Sequence, residues 1–123
     1  MKIIFFVAIA GAVGALSRFA VVSWIGPRYF PWGTFTVNVL GSFAMGVAFI
    51  VIVEKGLVDP SMKPLLMTGG LGAFTTFSAF SLETWDLFEK GDWLTAAMYV
   101  LASVAVCLIA VGAGVTFGRH SFS

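Results

Sequence analysis

The sequence predicts an all-α integral membrane protein of four transmembrane helices, the third of them broken at mid-membrane. Three observations lead there. Hydrophobic residues make up 59% of the 123 and charged residues 11%, with a mean hydropathy of +1.01, whereas soluble domains carry about 25% charged residues. Apolar stretches at residues 3–25, 34–53, 64–88 and 94–117 are set apart by short polar hinges, and each has the length of roughly 20 residues that a bilayer demands. The third stretch contains Thr68–Ser81, TGGLGAFTTFSAFS, whose glycines and hydroxyls do not suit a plain lipid-facing helix. The chain reads as one membrane domain, 1–123, with the lipid bilayer as its solvent. A net charge of +1 offers no basic surface to a nucleic acid. The single cysteine, Cys107, rules out an intrachain disulfide and reads as a small buried hydrophobe.

The first stretch opens MKIIFFVAIAGAVGALS, which has the outline of a secretory signal: Lys2, an apolar core, then small residues. Apolar character resumes after Arg18 and runs to Ile25, so a retained first helix is expected. Gly11, Gly14 and Ala15 give it a small-residue face for close packing. Arg18 lies well inside the apolar run. It has two compatible readings, a snorkelling side chain or a positive charge that draws anions into an aqueous vestibule. Gly26, Pro27 and Pro31 make the first hinge a turn.

The second stretch begins GTFTVNVLGS. Asn38, the only side-chain amide in the chain, shares a helical face with Thr34. It reads either as an interhelical hydrogen bond worth about 1 kcal/mol or as a donor to a passing anion. Ser42 and Gly46 add another small-residue contact. The hinge from Glu54 to Pro64 carries both signs of charge.

The third stretch holds an uncharged run from Pro64 to Leu82. Gly69, Gly70 and Gly72 are poor helix formers, and Thr75, Thr76, Ser78 and Ser81 carry hydroxyls through the apolar zone. Phe77 and Phe80 point to one helical face. Broken backbone at membrane depth belongs where it is enclosed by protein or lines a wet cavity; the alternative is a glycine-rich helix packed closely on its neighbours. A tight turn, Glu89-Lys90-Gly91-Asp92, leads to the fourth stretch. There Tyr99, Ser103 and Cys107 follow one another along one line, and Ala110, Gly114 and Gly118 continue with close-packing spacing. Ser103 is either part of a polar track or bonded to its own helix backbone.

Four spans put both termini on one side, with Lys2, Lys55, Lys63 and Arg119, against Arg28 and Lys90 on the other. The positive-inside rule then favours cytoplasmic termini, by a small margin. Trp24, Tyr29, Trp32, Trp85 and Trp93 flank the first and third hinges as an interfacial aromatic belt does.

Enzyme chemistry fails on inventory. The only histidine, His120, is in the C-terminal tail, and no nucleophile has a base beside it. Among the acidic residues only Glu83 and Asp86 approach the apolar part of a span, and Glu83 reads as an ion-path gate or a headgroup carboxylate. What the spans offer instead is amide and hydroxyl donors, one arginine, and phenyl rings whose edges are positive. Two ring edges hold a small anion weakly, and the carbonyls freed by a broken helix suit a cation.

With these features in place the chain resembles the Fluc/CrcB fluoride channels over essentially its full length. The likeness runs from GAVGALSR (Gly11 to Arg18) through GTFTVN (Gly33 to Asn38) to TGGLGAFTTFSAFSLE (Thr68 to Glu83), the third motif being the specific one. The resemblance implies passive export of cytoplasmic fluoride across the plasma (inner) membrane, relieving its toxicity. It implies an antiparallel, dual-topology homodimer with two pores and a structural sodium ion at the dimer interface. By that likeness Phe77 and Phe80 are the pore phenylalanines, Asn38 the pore amide and Arg18 the vestibule arginine. Thr34, Ser78, Tyr99 and Ser103 look like a polar track, with Glu83 at its acidic end. Gly72 and Thr75 would give sodium their backbone carbonyls. The small-residue faces of helices 1, 2 and 4 suit close contacts between copies. The chain departs from the pattern at Ala79, Cys107 and Val111, where hydroxyls are usual. The chief alternative, a small four-helix multidrug or cation exporter, needs an embedded acid in helix 1, where this chain has Arg18 and none. A non-transporting membrane-complex subunit would show no flux alone.

Overall fold

The computed structural model describes residues 1–123, and all of its regular structure is helical. Helix α1 spans Lys2–Ile25, and α2 spans Trp32–Ala48 and runs on through wide π-helical turns at Phe49–Glu54. The third pass is composite. A short 3-10 turn at Pro60–Met62 leads into π-helical Pro64–Leu71, then α3 (Gly72–Phe74), a gap, and α4 (Phe77–Glu89). Helix α5 spans Trp93–Ser121. The four passes Lys2–Ile25, Trp32–Glu54, Pro60–Glu89 and Trp93–Ser121 are each long and apolar enough to cross a membrane.

The passes overrun their expected limits at the polar ends. The last turn of α5 is pinned where Arg119 Nη2 lies 2.6 Å from Glu54 Oε1 and Lys55 Nζ donates to the Arg119 carbonyl at 3.2 Å. At the opposite end Asp92 caps α5, accepting from the Thr95 N–H at 3.1 Å after a turn in which Gly91 takes φ 80. Tyr29 in the first hinge donates to the same Asp92 carboxylate. That hydroxyl, and then the Thr95 donors, hold the Asp92 carboxyl below its ordinary range. The bond to Asp92 likewise raises the Tyr29 phenol above its ordinary value. Trp24, Tyr29, Trp32, Trp85 and Trp93 are all exposed at this end.

Glycine sets the helix spacing. A Cβ at Gly14 would collide with the Gly70 carbonyl, and one at Gly69 would come within 2.9 Å of the Val7 carbonyl. Along the α2–α5 seam a Cβ at Gly46 would strike the Val111 carbonyl, one at Gly114 the Phe43 carbonyl. Two expectations are corrected here. Gly69 and Gly70 do not break the third pass; Gly14 and Gly69 let it lie against α1, with the Gly70 carbonyl in the space Gly14 leaves, and the gap falls later, at Thr75–Thr76. The small-residue faces of the first, second and last passes are occupied within the chain rather than left open for contacts between copies. Only 17 of the 123 residues are buried in the single chain, and most apolar side chains therefore face outward. The compact cluster is at the Tyr29 end: Phe80, Leu87, Ala96 and Tyr99, with Phe30, Phe35 and Val100 against it.

Candidate functional site

The gap in the third pass is two residues of extended backbone, Thr75 at φ −89, ψ 159 and Thr76 at φ −150, ψ 116. Each end is closed by a hydroxyl. Thr75 Oγ1 donates back to the Leu71 carbonyl at 3.2 Å, and Thr76 Oγ1 accepts from the Ala79 N–H at 3.1 Å, starting α4. Two side chains from other helices complete the arrangement. Asn38 of α2 bonds Thr76 on both sides: its Nδ2 donates to the Thr76 carbonyl at 3.2 Å, and its Oδ1 accepts from the Thr76 N–H at 2.8 Å. Arg18 of α1, half-buried, donates through Nε to the Ala73 carbonyl at 3.2 Å. The carbonyls of Gly72 and Thr75 accept no hydrogen bond from the chain, and Gly72 lies on its exposed surface.

Beside the gap is a cavity of about 320 Å³, lined by Asn38, Thr75, Thr76, Phe77, Phe80 and Ser103 among others. Ser103 is 7% exposed, and its Oγ has no hydrogen-bond partner. The expectation that Ser103 bonds its own helix backbone therefore fails, although Ser81, Thr84 and Thr116 all do so. Phe80 is buried and packs on Tyr99 with ring centroids 5.0 Å apart. Phe77, 5.4 Å from Phe80, is 79% exposed, so the pair has one ring seated in the chain and one presented outward.

From Phe80 the polar line continues through Tyr99, which is fully buried. Its hydroxyl donates to Glu83 Oε1 at 2.9 Å, and Thr34, 3% exposed, donates to Glu83 Oε2 at 2.7 Å. Glu83 and Thr34 open on a second cavity of about 550 Å³, with Arg28, Tyr29, Asp86 and Lys90 around it. Lys90 and Asp86 pair there at 2.9 Å.

The structure thus brings together Thr34, Asn38, Phe80, Glu83, Tyr99 and Ser103. It leaves Ser78 outside: its Oγ sits 3.2 Å from Thr76 Oγ1 on the exposed side, and it lines neither cavity. Of the three departures, Cys107 and Val111 line the first cavity, while Ala79 lines neither. Thr76 and Ser42 were not singled out as site residues. Ser42 stands four residues after Asn38, so the helical face marked by Thr34 and Asn38 pointed to it. Nothing in the sequence marked Thr76 above Thr75.

The profile of the family described as CrcB-like protein, Camphor Resistance (CrcB), matches residues 5–115. A relative from Magnetococcus marinus, named fluoride-specific ion channel FluC, is 49% identical over 117 residues, covering 92% of this chain and 94% of its own. One of the same name from Hahella chejuensis is 48% identical, covering 93% of this chain and 92% of its own. Another, from Allorhizobium ampelinum, is 45% identical over 126 residues, covering 99% of this chain and 100% of its own.

Proposed function

The chain belongs to the CrcB-like protein family, and on that premise we propose that it is a fluoride-specific ion channel. It lets fluoride leave the cytoplasm passively across the plasma (inner) membrane. The observation that carries the reading is Ser103 Oγ, buried without a partner in the cavity that also takes in Asn38 and the Phe80 ring. An unpaired buried hydroxyl costs about 1–3 kcal/mol, a cost that makes sense where the hydroxyl serves a passing ligand. The Asn38 amide carries two N–H bonds; one is taken by Thr76, and the other is free for an anion.

Fluoride gives up water on entering so narrow an apolar zone, and donors beside Phe80 replace part of it. These are the remaining Asn38 N–H and the unpartnered Ser103 hydroxyl; the hydroxyl protons of Tyr99 and Thr34 are given to Glu83. Ring edges attract an anion weakly, so the ion is held without being trapped, as conduction requires. Fluoride efflux from liposomes holding the purified protein, with chloride efflux as control, tests the function. Chloride flux comparable to fluoride flux would overturn it.

The working unit is an inverted pair of copies. Phe77 and Gly72 are both exposed on one chain, and a second chain gives them the wall they lack. The residues also fit a structural sodium ion. The carbonyls of Gly72 and Thr75 have no partner inside the chain, and a hard cation takes oxygen ligands. Two copies related by a two-fold axis supply four such oxygens. When bound, sodium contributes a fixed positive charge that holds the two broken segments together. Single cysteines introduced near Gly72 in a Cys107→Ala background test the arrangement, because a parallel crosslinked pair would exclude inversion.

A further inference from the structure

The broken segment is only two extended residues long, and free backbone of this kind has no regular ladder to fix its direction. Its own hydroxyls close the flanking helix ends, at Leu71 and at Ala79, but neither bond reaches the peptide groups between them. Those groups are gripped from outside. Arg18 holds the Ala73 carbonyl at 3.2 Å from α1. Asn38 holds both polar atoms of Thr76, at 3.2 and 2.8 Å, from α2. The unbonded carbonyls of Gly72 and Thr75 each adjoin one of the gripped residues in sequence. The Thr75 carbonyl shares one rigid peptide plane with the Thr76 N–H that Asn38 holds, so fixing one fixes the other. The Gly72 carbonyl is one plane removed from the Ala73 carbonyl that Arg18 holds and is joined to it through the helical Ala73.

We infer that Arg18 and Asn38 are positioning residues for the Gly72 and Thr75 carbonyls, acting as two struts that aim the broken backbone at the cation site. The inference rests on the channel reading above only for what the segment serves. It goes beyond that reading by giving two side chains of the ion path a second task. The paired contact at Thr76 supports this. An amide meant solely for an anion has no need to use both its oxygen and one N–H on a single residue. The arginine is likewise held through Nε, which leaves its terminal nitrogens free to attract anions, so the two tasks do not compete. A further consequence is that the ion path and the cation site share their supports, so a change on one side is felt on the other.

The test uses the purified full-length protein, with sodium chloride or N-methylglucamine chloride as the probe and two readouts. The first is thermal stability against sodium concentration. The second is amide hydrogen exchange of the segment containing Thr76. Asn38→Leu keeps the side-chain size and removes the grip. The half-stabilising sodium concentration should rise at least tenfold, and exchange at Thr76 should speed up while α5 is unchanged. Ser103→Ala, at a residue that lines the same cavity without a hydrogen bond to the segment, should leave the half-stabilising sodium concentration and the exchange at Thr76 at wild-type values even as its melting temperature shifts and fluoride efflux falls. An unchanged sodium half-point in Asn38→Leu, or unchanged exchange at Thr76, would overturn the inference. So would a wild-type protein whose stability ignores sodium. Wild-type fluoride efflux from the same preparation tests the channel reading separately.

Discussion

Ser103→Ala should make the protein more stable and less active at once. The Ser103 hydroxyl is buried and unpartnered in the chain, and leaving such a group dry costs about 1–3 kcal/mol. Alanine removes the hydroxyl, keeps Cβ and suits a helix better than serine. The unfolding transition should therefore shift upward by an amount in that range. The effect on conduction has the opposite sign. A hydrogen bond to a charged group is worth about 1.5–3 kcal/mol, and each 1.4 kcal/mol is about a factor of ten. If that bond steadies fluoride between Asn38 and Tyr99, its loss slows passage by about ten- to a hundredfold. Thermal melts in detergent and fluoride-electrode efflux from liposomes read the two quantities in one preparation. Raised stability with unchanged efflux would show that the hydroxyl is idle and refute the reasoning about the cavity. Lowered stability would show that Ser103 has a structural partner.

The two phenylalanines should separate on the same pair of assays. Phe80→Ile removes a ring packed on Tyr99, an aromatic pair worth about 0.5–1.5 kcal/mol beyond its buried area, so both stability and efflux should fall. Phe77→Ile, at an exposed ring, should lower efflux with the melting of the chain little changed. Gly114→Ala puts a Cβ into the Phe43 carbonyl and should cost about 1–3 kcal/mol as overpacking does, visible as a lower melting temperature before any effect on selectivity. The Tyr29–Asp92 contact gives a pH signature. Asp92 has its pKa lowered from 3.8, so its contribution is present above that value and lost as pH falls through the still lower folded pKa. Tyr29 has its pKa raised from 10.0, so its contribution is full below that value and lost as pH rises through the folded pKa. The stability difference between wild type and Tyr29→Phe should accordingly be flat through neutral pH and shrink only at the acid and alkaline extremes.

The four passes were legible because burial in lipid leaves a coarse signal, long apolar runs between charged hinges. The Phe77–Phe80 pair and the Tyr99–Ser103 line were legible because helical periodicity survives a break elsewhere in the pass. The place of the break was not. Glycine is read as a breaker from its propensity, but in this chain Gly69 is needed where the third pass touches the backbone of the first, and contact between distant segments overrides local preference. The threonines that do interrupt the helix carry no strong propensity against it. They part because Asn38 and Arg18 supply partners for the backbone groups set free, and those residues lie 38 and 55 positions away in sequence. The bond of Thr34 and Tyr99 to one carboxylate was hidden for the same reason: each residue was visible, their convergence was not.

The glycine seams bear on how the gene would answer a mutational screen. At Gly14, Gly46 and Gly114 even one added carbon meets a main-chain oxygen, which has no rotamer by which to step aside. At the walls of the cavity beside the gap, by contrast, a changed side chain borders open space and the helices can still associate. Colonies selected for fluoride sensitivity should therefore return two separable classes. Substitutions at the seam glycines should deplete the protein from the membrane, whereas those at Phe77 or Ser103 should leave its abundance intact. A screen that scores growth alone would rank the seam first and mistake the hinge pins of the assembly for its filter; one that also counts protein per cell would tell them apart.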